Sequence, residues 1–236
     1  MKLLKIRLTG VSASFRNPLS MSYQSTLPFP SRPTIFGILG AVSGMEYFTA
    51  QDKFSCCSFG VRTCGIAGKS NDLWAIRKLK SGSKGLTALK DVVVREMLFS
   101  PEFIIYVRAD EGILRELQES FRRPAFPLCF GRNDDIVTEV SCDLVSAEEQ
   151  SDVMINSIVV RGRLNPEEIK VSGLDDAVED TSAFPVFRLP DRFDRHKRNP
   201  QIRVPTDYHD YTLVNRPVIT RRPAVCIGDE SFIFWS

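Results

Sequence analysis

"LWAIRKLKSGSKGLTALKDVVVREMLF", residues Leu73–Phe99, is the stretch on which the fold turns. Its centre, Ser81–Gly85, is a glycine-serine turn, and its flanks mix basic with apolar residues. That pattern fits a protruding β-hairpin better than a helix, with a turn longer than two residues. Between Ala75 and Lys90 it carries five basic residues and no acidic one.

With that hairpin set aside as an insertion, the flanking segments fall into a simple order. Leu4, Ile6 and Leu8 alternate with Lys5 and Arg7, which predicts a half-buried strand. Residues 12–32 read as an irregular loop. Ser31 can cap a helix that carries Pro33 in its first turn. Ile35, Phe36, Leu39 and Val42 supply that helix with an apolar face. Gly37, Gly40 and Gly44 cost it about 1 kcal/mol each, a loss best offset by close backbone approach to a sheet. "FSCCSFGVRTCGIAG", from Phe54, is a second strand region, and "EFIIYVRA", from Glu102, is a third. Asp110 looks like an N-cap for a helix with Ile113, Leu114, Leu117 and Phe121 on one face. A loop punctuated by proline and glycine precedes an alternating strand from Ile136 to Val145. The order is βαββαβ, the ferredoxin-like arrangement.

The whole chain sets the bounds. It has 236 residues, 43% hydrophobic and 25% charged, with a formal net charge of +2. This is the profile of a globular protein able to bury a core without staples. Charge is segregated: Arg188–Arg222 holds nine basic and four acidic residues, whereas Glu139–Asp180 holds eleven acidic and three basic. A basic face attracts polyanions. The acidic span reads as solvated surface or as a contact for a basic partner. No signal-peptide core or bilayer-length apolar run is evident, so a cytoplasmic protein without membrane association is expected. The six cysteines contain no CxxC and lie far from His196 and His209, so free thiols are expected and neither a metal nor a cofactor. After about Ser146 the chain turns acidic, then proline-rich and basic, with several short β-like runs.

Three segments in fixed order resemble the Cas-five family of CRISPR-associated RAMP proteins. They are "ASFRNPLSMSYQSTLPFPSRPTIFGILGAVSG", "VVVREMLFSPEFIIYV" and "RRPAFPLCFGRNDDIV". The C-terminal "RLPDRF" through "PAVCIGDESFIFWS" is a looser match. The resemblance implies an α+β fold: a ferredoxin-like, RRM-related RAMP domain over residues 1–146. A thumb β-hairpin is inserted at about residues 73–97, and a smaller β-rich C-terminal subdomain covers residues 147–236. It also implies a subunit of a type I interference (Cascade) complex, closer to type I-B than to type I-C. Such a subunit caps the 5′ handle of the CRISPR RNA, touches the first backbone subunit and the large subunit, and meets target DNA only indirectly through the complex.

Gripping an RNA end calls for Arg and Lys against phosphate, an aromatic face against a base, and amides or hydroxyls at base edges. The first loop offers Arg16, Ser22, Tyr23, Gln24 and Thr26, with Tyr23 as a stacking ring or merely a pin for the loop. Arg32, at the start of the glycine-bearing helix, is placed to clamp the same phosphate. Arg77, Lys78, Lys80, Lys84 and Lys90 ride the hairpin. Gly131 and Arg132 occupy the loop before the last strand, where glycine lets a backbone approach RNA. The type I-C branch cleaves precursor RNA without metal, and such chemistry needs a general acid and base. Here His196 is followed by Lys197, but in the C-terminal segment, and His209 sits among acids and tyrosines. A non-catalytic protein is therefore expected. The competing readings are a metal-independent endoribonuclease and an RRM-like module outside CRISPR.

Overall fold

The computed structural model describes residues 1–20, 23–82, 85–171 and 184–235; for residues 78–82, 85–89, 166 and 171 it describes the backbone alone. The N-terminal half contains β1 (Lys2–Gly10), β2 (Ser12–Ala13), β3 (Phe15–Arg16), β4 (Thr26–Leu27), α1 (Arg32–Ser43), α2 (Tyr47–Phe54) and β5 (Ser58–Gly65). There follow β6 (Gly68–Gly82), β7 (Gly85–Phe99), β8 (Glu102–Arg108), α3 (Glu111–Arg122) and β9 (Val137–Ser146). The remainder is β-rich: β10 (Glu148–Gln150), β11 (Val153–Ile155), β12 (Ile158–Arg161), β13 (Ile169–Val171) and β14 (Val186–Arg195). β15 (Arg203–Val214), β16 (Val218–Thr220), β17 (Ala224–Ile227) and β18 (Glu230–Phe232) close the chain. Among the described residues the protein is mostly β with three α-helices, an α+β arrangement.

Seven strands form one antiparallel sheet in the order β14-β15-β12-β5-β8-β1-β9. The apolar run of β8 explains why this sheet is buried on both faces, since alternate side chains point to opposite sides. Phe103, Ile105 and Val107 join Leu4, Ile6, Leu8, Phe59 and Val61 in a core completed by α1, α2 and α3. Ile104 and Tyr106 join Leu3 and Val160 in a second core, completed by Ile155, Val218, Phe232 and Phe234 of the C-terminal segments. β1 is correspondingly more buried than its alternation suggests, because Leu3 is covered as fully as Leu4.

The helices follow their sequence signals with one change of partner. α1 starts after Ser31 with proline in its first turn and ends on Gly44 at φ 69°, a left-handed C-cap that suits glycine. Ser31 and Asp110 hold the N-cap positions of α1 and α3 as expected, but neither side chain caps a backbone N–H; the Ser31 hydroxyl meets Thr34 Oγ1 at 3.1 Å instead. The expected approach of its glycines to a sheet does not occur. A Cβ on Gly40 would meet Ala50 of α2 at 3.0 Å, and one on Gly37 would meet nothing within 4 Å. Gly40 thus lets two helices close on each other, and α2 itself has no counterpart in the sequence reading. α3 buries Leu114, Leu117 and Phe121 as its 3.6-residue period requires.

The stretch Leu73–Phe99 does form a hairpin, and pairing starts earlier: β6 and β7 stay in register from Gly68↔Phe99 to Gly82↔Gly85. The pairing of Gly82 with Gly85 leaves only Ser83 and Lys84 between the strands, so the connection is shorter than expected. Those two residues lie outside the described residues. Fifteen paired residues per strand span about 50 Å. Its base is tied down where β2 pairs with β7, Ser12↔Phe99 and Ala13↔Leu98.

The chain beyond residue 146 does not keep to itself. β12, β14 and β15 extend the main sheet beside β5, while β10, β11, β13 and β16–β18 form small sheets over its second face. The basic proline-rich segment holds two long strands rather than several short ones. Pro190 lies in the edge strand β14 and Pro205 in the part of β15 beyond its pairing with β12, so neither removes an inner ladder bond. Among the described residues no helix is long and apolar enough to cross a membrane, and all six cysteines are free.

The second core depends on one contact. Phe232 stacks on Tyr106 with ring centroids 3.7 Å apart and planes 3° from parallel. A Cβ on Gly60 would lie 2.5 Å from Cδ2 of Phe232. Gly60→Ala is expected to cost about 1–3 kcal/mol by overpacking, read as a drop of several degrees in Tm. An unchanged Tm would show that the C-terminal segment seats without this contact.

Candidate nucleic-acid interface

Three segments converge at the base of the long hairpin. The first is the N-terminal loop, which is more ordered than its irregular sequence suggests. Phe15↔Leu27 and Arg16↔Thr26 pair β3 with β4, and the Gln24 backbone bridges β7 through Gln24 N to Val94 O (3.0 Å) and Glu96 N to Gln24 O (2.9 Å). The second is the hairpin base itself. The third is the loop Gly131–Asp135.

That third loop is held by buried polar contacts. Phe130 N donates to the Asp135 carbonyl at 2.7 Å, and Asp135 N donates to the Arg132 carbonyl at 3.1 Å. The Asp135 side chain, 1% exposed, accepts Ser12 Oγ at 2.5 Å and Ser14 Oγ on its other oxygen. Gly131 has φ 94°, and a Cβ there would run into the Ser14 carbonyl oxygen. This glycine was expected to let a backbone approach RNA. Its missing side chain lets two protein segments close together at this turn, and so aims the next side chain.

That side chain is Arg132. Its Cζ lies 4.3 Å from the centre of the Trp74 ring, and one guanidinium nitrogen donates to Gln24 Oε1. Both groups that fix it are neutral. Burial, then like charge from Arg95, lowers its pKa from the ordinary guanidinium value; Asp134 and Asp135 pull the other way, and Arg16 adds further like charge. Arg95, on β7, is nearly buried and ion-paired to Asp72 of β6 and to Asp134, each at 2.8 Å. Burial alone would lower the Arg95 pKa, but the hydrogen bonds it donates to Asp134 and Asp72 raise it. Asp134 in turn is held below the usual carboxylate range by Arg95. Arg95 therefore crosslinks the hairpin to the loop, while Arg132 lies over a tryptophan that is 38% exposed. A guanidinium stacked on an indole, beside an amide, is a surface suited to a base and its phosphate.

The other expected residues distribute as follows. Arg16 is exposed and close enough to Arg132 to act on its charge. Tyr23 is half-exposed, and its hydroxyl donates to Asn71 Oδ1 at 2.8 Å, so it pins the loop to β6 while leaving ring surface open. Thr26 is 5% exposed, and its hydroxyl accepts from Phe15 N and donates to Leu27 O, which leaves it positioning the loop from within. Arg77 and Lys90 are exposed and face each other across the hairpin. Ser22 and Lys84 lie outside the described residues, as do the side chains of Lys78 and Lys80. Arg32 is not in this cluster. It faces Asp191 and the Ser55 carbonyl, each at 3.4 Å, over the rings of Phe36 and Phe59. Packing of α1 against β14, which carries Asp191, sets that direction, which the position of Arg32 at a helix start could not reveal.

Trp74 and Arg95 are the two members that the sequence reading passed over. A tryptophan in a basic, otherwise exposed hairpin was the available signal for the first. Arg95 needed the register that sets it opposite Asp72.

The two histidines stand elsewhere. His196 Nδ1 accepts from Arg198 N (3.3 Å) and Asn199 N (3.2 Å), capping the turn between β14 and β15. His209 Nε2 lies 3.9 Å from the buried Asp191.

The family model described as "CRISPR-associated protein (Cas_Cas5)" matches residues 3–205. No curated protein matches the chain. A solved chain titled "CRISPR RNA-guided surveillance complex" shares the fold with a TM-score of 0.58 at 16% identity, over 94% of this chain and 91% of that one. A CRISPR protein from Archaeoglobus fulgidus shares it with a TM-score of 0.50 at 10% identity, over 98% of both chains.

Gly131→Ala is expected to destabilise by more than about 1 kcal/mol, because both the positive φ and the Ser14 carbonyl oppose a side chain. It should also shift Trp74 emission as Arg132 is displaced. A variant with unchanged Tm and spectrum would contradict this account of the loop.

Proposed function

The chain belongs to the CRISPR-associated Cas_Cas5 family, and on that premise we propose that it is a non-catalytic subunit of a type I interference complex that holds the 5′ handle of the CRISPR RNA. The observation that carries this reading is the Arg132–Trp74 stack, presented beside Gln24 at the root of a long hairpin. The βαββαβ order, with β9-β1-β8-β5 adjacent in space, supports taking the first half as a ferredoxin-like unit and β6–β7 as its thumb. The hairpin exposes Leu73 and Val92, at 71% and 58%, which suits an element that packs on RNA and on a neighbouring backbone subunit. Contact with the large subunit belongs to the same proposal, as does indirect contact with target DNA.

An RRM-like module outside CRISPR fits less well. Such modules stack bases on aromatic residues of the open sheet face. Here the aromatic in that position, Tyr106, is fully buried and already stacked on Phe232. The endoribonuclease reading meets a different obstacle. His196 is engaged in capping a turn, and neither histidine is among the groups gathered around Arg132.

Two experiments test the proposal. Only two tryptophans are present, and Trp235 is buried at 1% with its Nε1 bonded to Val159 O. Quenching by a handle RNA therefore reports Trp74. Trp74→Ala is expected to weaken binding by about 1–3 kcal/mol, the worth of one stacked base. The native affinity should fall with salt at a log–log slope of roughly −3.5, for about five phosphate contacts. Unquenched emission, or a flat salt response, would sink the RNA reading. Separately, the pure protein incubated with repeat RNA in EDTA is expected to leave it intact. Specific cleavage that His196→Ala abolishes would move the protein to the processing enzymes.

A further inference from the structure

Residues Arg192–Arg203 form the outer half of the β14–β15 hairpin. β12 pairs with β15 only as far as Tyr211, so this half overhangs the main sheet. It is nevertheless firmly built. Gln51 of α2, 3% exposed, donates to Phe193 O at 3.0 Å and accepts from Phe193 N at 2.9 Å, clamping β14 to the helix. The turn is closed by His196 N to Ile202 O (2.9 Å) and Ile202 N to Asn199 O (3.0 Å), with the His196 ring accepting from two backbone N–H groups.

The charges on this frame are uneven. The register sets Arg195 directly opposite Arg203, a like-charge pair that repels. Each guanidinium lies over a ring of α2: the Arg195 Cζ is 4.1 Å from the centre of Phe48, and the Arg203 Cζ is 4.2 Å from the centre of Tyr47. Glu46 pairs with Arg195 at 3.2 Å, and Asp194 and Asp207 face Arg192 at 3.7 and 3.8 Å. Nothing comparable reaches the other three cations. Lys197, Arg198 and Arg203 are exposed and, among the described residues, meet no carboxylate and donate no side-chain hydrogen bond. A guanidinium supported by a neutral ring keeps its N–H fork for an acceptor from outside.

The rings decide what kind of polyanion fits. Tyr47 and Phe48 are only 6% and 8% exposed, so neither offers a face to a base. Single strands are held by base stacking as well as by charge. Contact here stops at phosphates, which a duplex presents with its bases already paired.

We propose that the tip of β14–β15 is a second nucleic-acid site, which binds the phosphate backbone of a duplex through Lys197, Arg198 and Arg203. The duplex can be DNA or double-helical RNA, since the backbone chemistry is shared. A DNA duplex held here is a direct contact, beyond the indirect one that the interference-complex reading supplies. The site shares no residue with the cluster around Arg132 and stands if the handle reading fails.

Fluorescence anisotropy of a labelled, blunt, mixed-sequence DNA duplex with the full chain tests it. The native protein is expected to bind. The triple variant Lys197→Gln/Arg198→Gln/Arg203→Gln should bind at least about tenfold more weakly, with a log–log salt slope shallower by roughly 2.7, for three phosphate contacts at about 0.9 each. Handle RNA should quench Trp74 in the variant as in the native protein, and saturating handle RNA should leave the duplex bound to the native protein. Absent quenching together with the variant's loss of duplex would sink the handle reading and keep this site. An unlabelled RNA duplex that displaces the label assigns the shared backbone as ligand; one that does not assigns DNA. No binding by the native protein, unchanged duplex affinity in the folded variant, or displacement of the duplex by handle RNA overturns the site. The first and last of these are read on the native protein, whether or not the variant folds. Phosphatidylglycerol vesicles that strip the duplex from the native protein also overturn it, in favour of a lipid surface.

Discussion

The central strands of the main sheet have no free face, and much of the structure follows from that. β8 sends Phe103, Ile105 and Val107 to the helices and Ile104 and Tyr106 to the C-terminal strands, and all five are buried. The stack of Phe232 on Tyr106 is the closest ring contact in the second core, and Gly60 gives it room. Trp235 completes the closure, donating its backbone N–H to Phe59 O and its indole N–H to Val159 O. Each such aromatic pair adds about 0.5–1.5 kcal/mol beyond the area it buries. The C-terminal segment is thus a structural layer of the same body.

A sheet covered on both sides pushes recognition to its periphery. The available surface is where the hairpin leaves the body and two loops meet it. There the protein has spent buried polar contacts freely: Asp135 on two serines, Arg95 on two aspartates, Glu96 on the Thr26 N–H. Buried polar groups of this kind are stable only when fully partnered, and they then rigidify what they join. The rigid frame leaves Arg132 lying on Trp74, positioned before any ligand arrives. Preorganisation of this sort reduces the ordering cost of binding.

The same economy separates the two arginine-rich regions. At the hairpin base, one guanidinium is fixed by neutral groups and its neighbour by carboxylates. In the cavity between β12, β15 and the C-terminal strands, Arg108, Arg161 and Arg222 are each ion-paired, to Glu149, Asp191 and Glu168. Arg32 belongs to neither; it lines a separate cleft with Gln51, Asp191 and Asp207.

The sequence by itself determined the elements whose signal is local. Alternation marked β1 and the β9 region, the apolar run marked β8, and the period of Leu114, Leu117 and Phe121 marked α3. The glycine-serine centre marked the hairpin, and the quoted motifs marked the family. It also offered Arg16, Tyr23 and Gln24 together in the first loop, and Arg132 separately in the loop before the last strand, because these residue types suit an RNA end. Only the tertiary structure decided which of these meet. Trp74 under Arg132, Arg95 between Asp72 and Asp134, and Gly131 against Ser14 are contacts between segments far apart in the chain. Pairing register and side-chain direction set them, and neither is encoded in any one segment. The covering of Tyr106 by Phe232 has the same origin: burial of a face is a property of two elements, and a strand read alone cannot say what will lie on it.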